Sequence, residues 1–298
     1  MVALRSVVAA TDLSAPARRA ADRAAMLAAS ASASLTLIHV VSGSALDELR
    51  RWLDRNGLTE QSILDEVWQR TRNLASELAA QYRIDVDHCV VRGSGVDGIV
   101  RIAQDRGADL VVTGTLGSGS VRNRLVGATA ERVARKSSQP VLMVRQAPRE
   151  PYRRVLVPVD FSRYSYPSVA LAAAVAPDAQ LVLLHAIAMP LEGSLPLAAI
   201  APEMVHDYQA VARDEAMRLL GELAARAGLE GDRWTPLVQH DGSAWMQIVQ
   251  QEQEQDCDLV VIGKRGRGAV EELLLGGTTN RIIGESSADV LVSTRTDP

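Results

Sequence analysis

The chain has 298 residues, 47% of them hydrophobic and 23% charged, with a net charge of −4. This length predicts about two domains, and the composition excludes a disordered or fibrous chain. The acidic balance gives no sign of a dedicated nucleic-acid surface.

The same composition bears on the compartment. No apolar run approaches the ~18 residues of a membrane span, and the first apolar stretch, Val7–Ala10, is too short for a signal peptide. We therefore expect a cytoplasmic protein without a membrane span. Cys89 and Cys257 are then expected to be free, buried thiols.

The first half of the chain alternates between predicted strands and helices. A strand at Ser6–Ala10 is followed by Asp12, and Ser14 is a suitable N-cap for a helix with Pro16 in its first turn. The apolar run Leu35–Val41 predicts a strand buried on both faces, as in a parallel sheet. The other predicted elements are an amphipathic helix at Glu60–Tyr82, a strand at Val86–Arg92, a helix at Val96–Arg106, a strand at Leu110–Thr113, a helix at Ala128–Ser137 and a strand at Val141–Val144.

The second half repeats this order after a linker at Gln146–Tyr152. Its strands are predicted at Arg154–Val159, Leu181–Ala186, Thr235–His240, Leu259–Ile262 and Asp289–Val292. Its helices are predicted at Val169–Ala176, Met204–Ala227, Met246–Glu254 and Thr279–Glu285. Alternation of this kind indicates parallel sheets covered by helices on both faces.

A glycine pattern occurs once in each half and identifies an internal duplication. Residues 109–131 read DLVVTGTLGSGSVRNRLVGATAE, and residues 258–279 read DLVVIGKRGRGAVEELLLGGTT. The order of strand, glycine loop and helix start is suited to phosphate, because glycine lets the backbone approach an anion and helix N-terminal N–H groups face it. The strand-end carboxylates Asp12 and Asp160 are expected at the same rim of their sheets.

These features resemble the universal stress protein family in its tandem form. The family motif is glycine, two residues, glycine, nine residues, glycine, then serine or threonine, and its glycines match Gly114, Gly117 and Gly127 and again Gly263, Gly266 and Gly276. The resemblance implies two flavodoxin-like or Rossmann-like α/β domains, at 1–147 and 153–298. Each would have a five-stranded, mostly parallel sheet with helices on both faces.

The same resemblance implies a ligand and partners. ATP, with or without Mg²⁺, would have its adenosine near the strand-end aspartate and its phosphates on the glycine loop. Family members pair through their last strands, so the two domains are expected to pair internally, and a homodimer is a further possibility. No nucleic-acid partner is expected.

The chain departs from the motif directly after the third glycine. Ala128 and Gly277 stand there, and Thr129 and Thr278 follow one residue later. The second copy also has Arg265 and Arg267 beside its loop, where the first has Leu116 and Ser118. Arginine can neutralise phosphate, so the second half is the favoured site.

The predicted nucleotide-binding residues are Asp160, Gly263, Arg265, Gly266, Arg267, Gly276, Gly277 and Thr278, with Asp12, Gly114, Gly117, Gly127 and Thr129 as the counterparts in the first half. The glycines could instead be plain turns and the aspartates plain helix N-caps. His39 and His185 are expected to be core histidines with satisfied hydrogen bonds. Ser118 and Ser120 are at most candidates for modification. The apolar stretch Ala186–Pro202 is expected to be a packed loop or a lid.

Three functions remain open at this point. The first is an ATP-binding module of the stress response that signals through conformation or a partner. The second is a slow ATP hydrolase of the adenine-nucleotide α-hydrolase type, although no general base and no protein-held metal is evident. The third is a scaffold with degenerate sites that binds a partner or an apolar ligand through Ala186–Pro202.

Overall fold

The structure, a computed structural model, describes residues 3–43, 59–115, 127–187, 202–240, 242–266 and 275–297. The chain divides into two compact units, Ala3–Pro151 (domain 1) and Tyr152–Pro298 (domain 2). None of the helices in these described ranges is both long enough and apolar enough to span a membrane.

Domain 1 alternates strictly between strands and helices. Its strands are β1 (Ser6–Ala10), β2 (Ser34–Ser42), β3 (Val86–Gly93), β4 (Leu110–Gly114) and β5 (Val141–Val144). Its helices are α1 (Ala15–Ala31), α2 (Glu60–Tyr82), α3 (Gly95–Asp105) and α4 (Ala128–Lys136).

Domain 2 repeats this order. Its strands are β6 (Arg154–Pro158), β7 (Gln180–Ala186), β8 (Trp234–Gln239), β9 (Leu259–Gly263) and β10 (Asp289–Ser293). Its helices are α5 (Ser165–Val175), α6 (Pro202–Arg226), α7 (Ala244–Glu254) and α8 (Gly277–Glu285), with a short 3₁₀ turn at Gly231–Arg233 before β8.

Each domain has a parallel sheet whose strand order reverses beside its first strand. The orders are β3-β2-β1-β4-β5 and β8-β7-β6-β9-β10, and every strand pair within them is parallel. The helix pairs α1 and α2, α3 and α4, α5 and α6, and α7 and α8 pack together. This α/β architecture confirms the predicted fold class. It also places the switch points at β1/β4 and β6/β9, where ligands of such sheets bind.

The central strands are apolar because both of their faces are covered. All five residues of β9 are buried, as are the first four of β4. A carboxylate before each strand fixes its register against the first strand of the domain. Asp109 accepts hydrogen bonds from the backbone N–H groups of Arg5 and Ser6, and Asp258 accepts them from Arg153 and Arg154.

One predicted helix start was wrong by four residues. Helix α5 begins at Ser165 and not at Val169, although Pro167 lies in its first turn. Proline is tolerated there because the first N–H groups of a helix have no intrahelical acceptor. This shift brings Tyr164 and Ser165 to the edge of the sheet.

Both cysteines are free, with Cys257 buried and Cys89 half-buried. Burial raises the pKa of the Cys257 thiol to about 12, and it also raises the pKa of Cys89. Because the thiolate is the reactive form, we expect iodoacetamide at pH 8 to leave Cys257 unmodified in the folded chain and to label Cys89 slowly. Mass spectrometry of peptides after timed labelling measures both rates. Faster labelling of Cys257 than of Cys89 would contradict this expectation, and labelling in denaturant provides the control.

Candidate functional site

A cavity of about 380 Å³ opens in domain 2 at the carboxyl ends of its strands. Pockets for small molecules span roughly 300–1,000 Å³, so the volume suits a ligand of that class. Its lining combines apolar side chains with polar and charged groups. Its lining residues are Pro158, Val159, Asp160, Tyr164, Ser165, Ser168, Leu184, Ala186, Ala244, Ile248, Ile262, Gly263, Arg265, Gly266, Gly276, Gly277, Thr278 and Thr279.

Asp160 follows β6 and is held by the turn that leads into α5. Its Oδ1 accepts hydrogen bonds from the backbone N–H of Ser162 at 3.0 Å and from the hydroxyl of Ser165 at 3.2 Å. Phe161 between them has a positive φ of 56°. The N-cap of α5 is Tyr164. The interpretation of Asp160 as a plain helix N-cap is therefore wrong, because its carboxylate closes the preceding turn and faces the cavity.

The glycine loop packs too closely for any side chain at two positions. A Cβ at Gly266 would lie 2.6 Å from Oδ2 of Asp160, and one at Gly263 would lie 2.7 Å from Cβ of Tyr164. Real Cβ atoms do not approach other atoms so closely. The loop backbone therefore lies directly against the carboxylate, and interpreting these glycines only as turn formers does not account for the contacts.

Three helices begin at this cavity, and none of them has a side-chain cap. The first residues of α5, α7 and α8, which are Ser165, Ala244 and Gly277, all line it. No N-cap side chain of these three helices bonds a backbone N–H group. In domain 1, Ser14 and Ser94 cap α1 and α3, whereas α4 starts after Gly127 and also lacks a side-chain cap. Uncapped N-termini present N–H donors and the positive end of the helix dipole, which favour an anion. In α5 the dipole is the main contribution, because the N–H of Ser165 already donates to the carbonyl of Ser162 and Pro167 has no N–H.

The charged groups of the cavity are of opposite sign. Asp160 and Arg265 are the residues with a formal charge in the described lining. Arg265 is 8% exposed, and its Nη1 donates to the hydroxyl of Tyr164 at 3.3 Å. Its neighbour Lys264 is also buried. Burial, and after it the Arg265 charge, lowers the pKa of Lys264.

The third glycine of the motif opens α8 beside the loop. The N–H of Gly276 donates to the carbonyl of Lys264 at 3.0 Å, and the hydroxyl of Thr279 donates to the carbonyl of Gly263 at 2.9 Å. Thr278 is half-buried in the lining. A Cβ at Gly277 would have no other atom within 4 Å, so packing does not require the departure from serine or threonine there.

Domain 1 contains counterparts with different contacts. Asp12 is exposed and closes the turn to Ser14 with a hydrogen bond of 3.0 Å, so it too is not the N-cap of its helix. A Cβ at Gly114 would meet the carbonyl oxygen of Pro16 at 3.0 Å. Gly127 is the N-cap of α4, and Thr129 in that helix is exposed.

The two strand histidines, His39 and His185, are half-buried and differ in their hydrogen bonding. Nδ1 of His185 donates to the carbonyl of Val159 at 2.8 Å, which fixes its tautomer, and its ring lies 4.5 Å from that of Phe161. Nδ1 of His39 has no hydrogen-bond partner among the described residues. Burial lowers the pKa of His39. The prediction of satisfied core histidines therefore fails for His39.

Several predicted residues lie outside the described ranges. These are Gly117, Arg267, Ser118, Ser120 and most of the apolar stretch Ala186–Pro202. Sequence reasoning in turn missed Tyr164, Ser165, Ala244 and Ile248. The mismatch between DFSRYS after β6 and DLSAPA after β1 was the available signal for the first two.

A protein-held metal has little support in the donor set. Within the described parts of the chain, no three His, Cys, Asp or Glu side chains cluster closely enough to hold an ion. Mg²⁺ keeps several waters and is commonly bound through one or two carboxylates together with substrate phosphates. Asp160 is the carboxylate that the described cavity lining offers.

Comparison with known proteins identifies relatives along the whole chain. The family model described as "Universal stress protein family" matches residues 3–145 and again 151–294. One universal stress protein of Mycobacterium tuberculosis is 30% identical over 148 residues, which cover 48% of this chain and 98% of that protein. Another from the same organism is 26% identical over 271 residues, covering 87% of this chain and 86% of that protein.

Solved structures show the same fold. A universal stress protein from Archaeoglobus fulgidus superposes with a TM-score of 0.68 at 18% identity, over 97% of each chain. A further universal stress protein, solved in complex with cAMP, is 29% identical and covers 48% of this chain and 97% of its own, with a TM-score of 0.37. Two matches to the family model, together with the repeated sheet and glycine loop, show that this chain belongs to the universal stress protein family and carries two copies of its domain.

Proposed function

We propose that domain 2 binds ATP and that the chain acts in stress response as a nucleotide-dependent binding module. The observation that supports this best is the cavity of about 380 Å³, where three uncapped helix N-termini and Arg265 face one volume. Such a site favours a polyanion, because N–H donors, helix dipoles and a guanidinium all stabilise negative charge.

The mixed lining of the cavity suits a nucleotide, which has an apolar base and charged phosphates. Leu184, Ile248 and Ile262 are apolar lining residues and offer a surface for a planar base. Asp160 can accept hydrogen bonds from sugar hydroxyls. Gly266, Gly276 and the first turn of α8 would hold the phosphates through backbone N–H groups, and Arg265 would neutralise part of their charge.

Magnesium fits this proposal as a companion of the phosphates. The donor set supplies a single carboxylate in the described lining of the cavity, so the ion would be held mainly by phosphate oxygens and water. A cytoplasmic location, internal pairing of the domains and a homodimer stay predictions from the sequence.

The test uses two matched aspartates in one chain. We expect Asp160→Asn to weaken the binding of ATP with Mg²⁺ about tenfold, because the amide offers one acceptor oxygen to ribose hydroxyls in place of two charged ones. Asp12→Asn makes the same chemical change in domain 1 and is expected to leave the affinity unchanged. Isothermal titration calorimetry of the full chain measures both.

The outcomes separate the possibilities. Absence of ATP binding by the folded wild-type chain would refute the proposal. Equal weakening by the two substitutions would mean that both domains bind, and loss only in Asp12→Asn would move the site to domain 1.

A further inference from the structure

Tyr164 and Arg265 form a buried pair in the wall of the domain 2 cavity. They are 6% and 8% exposed, and the guanidinium Nη1 donates to the tyrosine hydroxyl at 3.3 Å. A buried cation needs hydrogen-bond partners, because desolvation penalises it. A tyrosine hydroxyl that accepts one bond keeps its own proton for a second acceptor. The hydroxyl can therefore hold the guanidinium while its own proton is donated elsewhere.

The backbone of Tyr164 is held by two hydrogen bonds to serine side chains, and its side chain packs against Gly263. Its N–H donates to the hydroxyl of Ser162 at 3.3 Å, and its carbonyl accepts from the hydroxyl of Ser168 at 2.8 Å. Its Cβ lies where a side chain at Gly263 would have to go, at 2.7 Å. A tyrosine held in this way is a rigid support for the arginine.

The two charged groups of the cavity offer opposite chemistry to a ligand. Arg265 and Asp160 both line the cavity, and the backbone of Gly266, which follows Arg265, lies against the Asp160 carboxylate. A carboxylate repels phosphate and accepts bonds from hydroxyl groups, whereas a guanidinium binds phosphate. We therefore expect phosphate groups to lie against Arg265 and hydroxyl groups against Asp160.

Neither residue of the pair is kept at the corresponding position of domain 1. The counterpart of Tyr164 in domain 1 is Pro16, and the counterpart of Arg265 is Leu116, which lies outside the described residues. Neither replacement can form a side-chain hydrogen bond. The pair is thus a property of domain 2 and not of the repeat.

We infer that Tyr164 is a positioning residue that holds Arg265 where it can bind phosphate in the cavity, so that domain 2 selects nucleotides by their phosphate groups. This inference rests on the proposed function and adds its specificity. The ligand class is a nucleoside polyphosphate, preferred over the nucleoside monophosphate and the free nucleoside.

The experiment is a double-mutant cycle on the full chain with three probes: ATP with Mg²⁺, AMP and adenosine. We expect Arg265→Met to weaken ATP binding about thirtyfold and Tyr164→Phe about fivefold, since the first removes the charge itself and the second only a hydrogen bond that holds it. The double variant is expected to be no weaker than Arg265→Met, because the hydroxyl acts through the guanidinium. The variants are expected to bind adenosine as tightly as the wild type does. Their loss of affinity for AMP is expected to lie between the losses for adenosine and for ATP. Calorimetry measures the affinity of each of the four proteins for each probe.

A matched control removes a tyrosine hydroxyl two residues away. Tyr166 faces Arg226, whose Cζ lies 3.8 Å from the ring centroid, and it is not among the described residues that line the cavity. Tyr166→Phe is expected to change none of the three affinities. A change equal to that of Tyr164→Phe would overturn the inference.

Two further outcomes would also overturn it, and they differ from failure of the proposed function. The first is a Tyr164→Phe variant that loses ATP and adenosine affinity by the same factor, which indicates a structural role. The second is a cycle in which the two substitutions are additive. Wild-type protein that binds none of the three probes would refute the proposed function itself, and this inference with it.

Discussion

Gly266→Val is expected to weaken the binding of ATP about a hundredfold, because its side chain would clash with a carboxylate oxygen of Asp160. A Cβ added at this position would lie 2.6 Å from Oδ2 of Asp160. That carboxylate cannot turn away freely, since its Oδ1 is held by the N–H of Ser162 and the hydroxyl of Ser165. The loop must therefore move away from Asp160, and the N–H groups that would bind phosphate move with it.

The control for this change lies in the same cavity. Gly277→Ala adds a Cβ where no other atom lies within 4 Å, so we expect its ATP affinity to stay within about threefold of the wild-type value. Titration calorimetry compares the three proteins, and circular dichroism confirms that each is folded. ATP affinity in folded Gly266→Val equal to that of wild type would show that the loop does not contact the ligand.

Glu252→Ala is expected to destabilise domain 2 by about 4 kcal/mol, through loss of a buried carboxylate that joins two helices to a strand. Glu252 lies near the end of α7 and is 1% exposed. Its Oε1 accepts from the N–H and hydroxyl of Ser287 and from the N–H of Ala288, and its Oε2 accepts from the hydroxyl of Ser286, at 2.6–2.8 Å. Truncation would leave these donors buried without their acceptor.

A series on the same helix tests this reasoning. Glu252→Gln keeps the volume and one acceptor oxygen, so we expect a smaller loss of about 2 kcal/mol. Glu254 is exposed, and Glu254→Ala is expected to cost less than about 0.5 kcal/mol. Urea unfolding with a domain 2 tryptophan as the probe gives the three values. A Glu252→Ala variant as stable as Glu254→Ala would mean that water replaces the carboxylate at no cost.

The repeat made most of the fold predictable. Strict alternation of apolar strands and helices, found twice, predicted both sheets, and Ser6–Ala10, Glu60–Tyr82 and Val141–Val144 begin and end where the sequence placed them. The predicted start of α5 was wrong because a proline usually marks a helix boundary, whereas Pro167 occupies the first turn.

The site was predictable only in part, for a physical reason. Residues that follow strand ends in a parallel sheet meet at one edge, and this rule brought Asp160, Gly263 and Gly266 together. Ile248 belongs to a helix that reaches the cavity through packing, and no local pattern indicates that. For Tyr164, the only signal was the mismatch between the two copies after their first strands. The absence of a side-chain cap on α7 was also not predictable, since Ser243 is a favourable N-cap by residue type yet makes no such bond.

The uncapped helices have a consequence for the resistance of the protein to proteolysis. Capping residues stabilise a helix by about 1 kcal/mol each, and domain 2 lacks this contribution at the three helix starts around its cavity. An anion bound there would act as a shared cap, and at a hundred times its Kd it would stabilise the domain by about 2.7 kcal/mol. Proteases cleave the unfolded state, and this stabilisation would lower the population of that state about a hundredfold. The rate at which the chain is degraded would then depend on the nucleotide concentration in the cell.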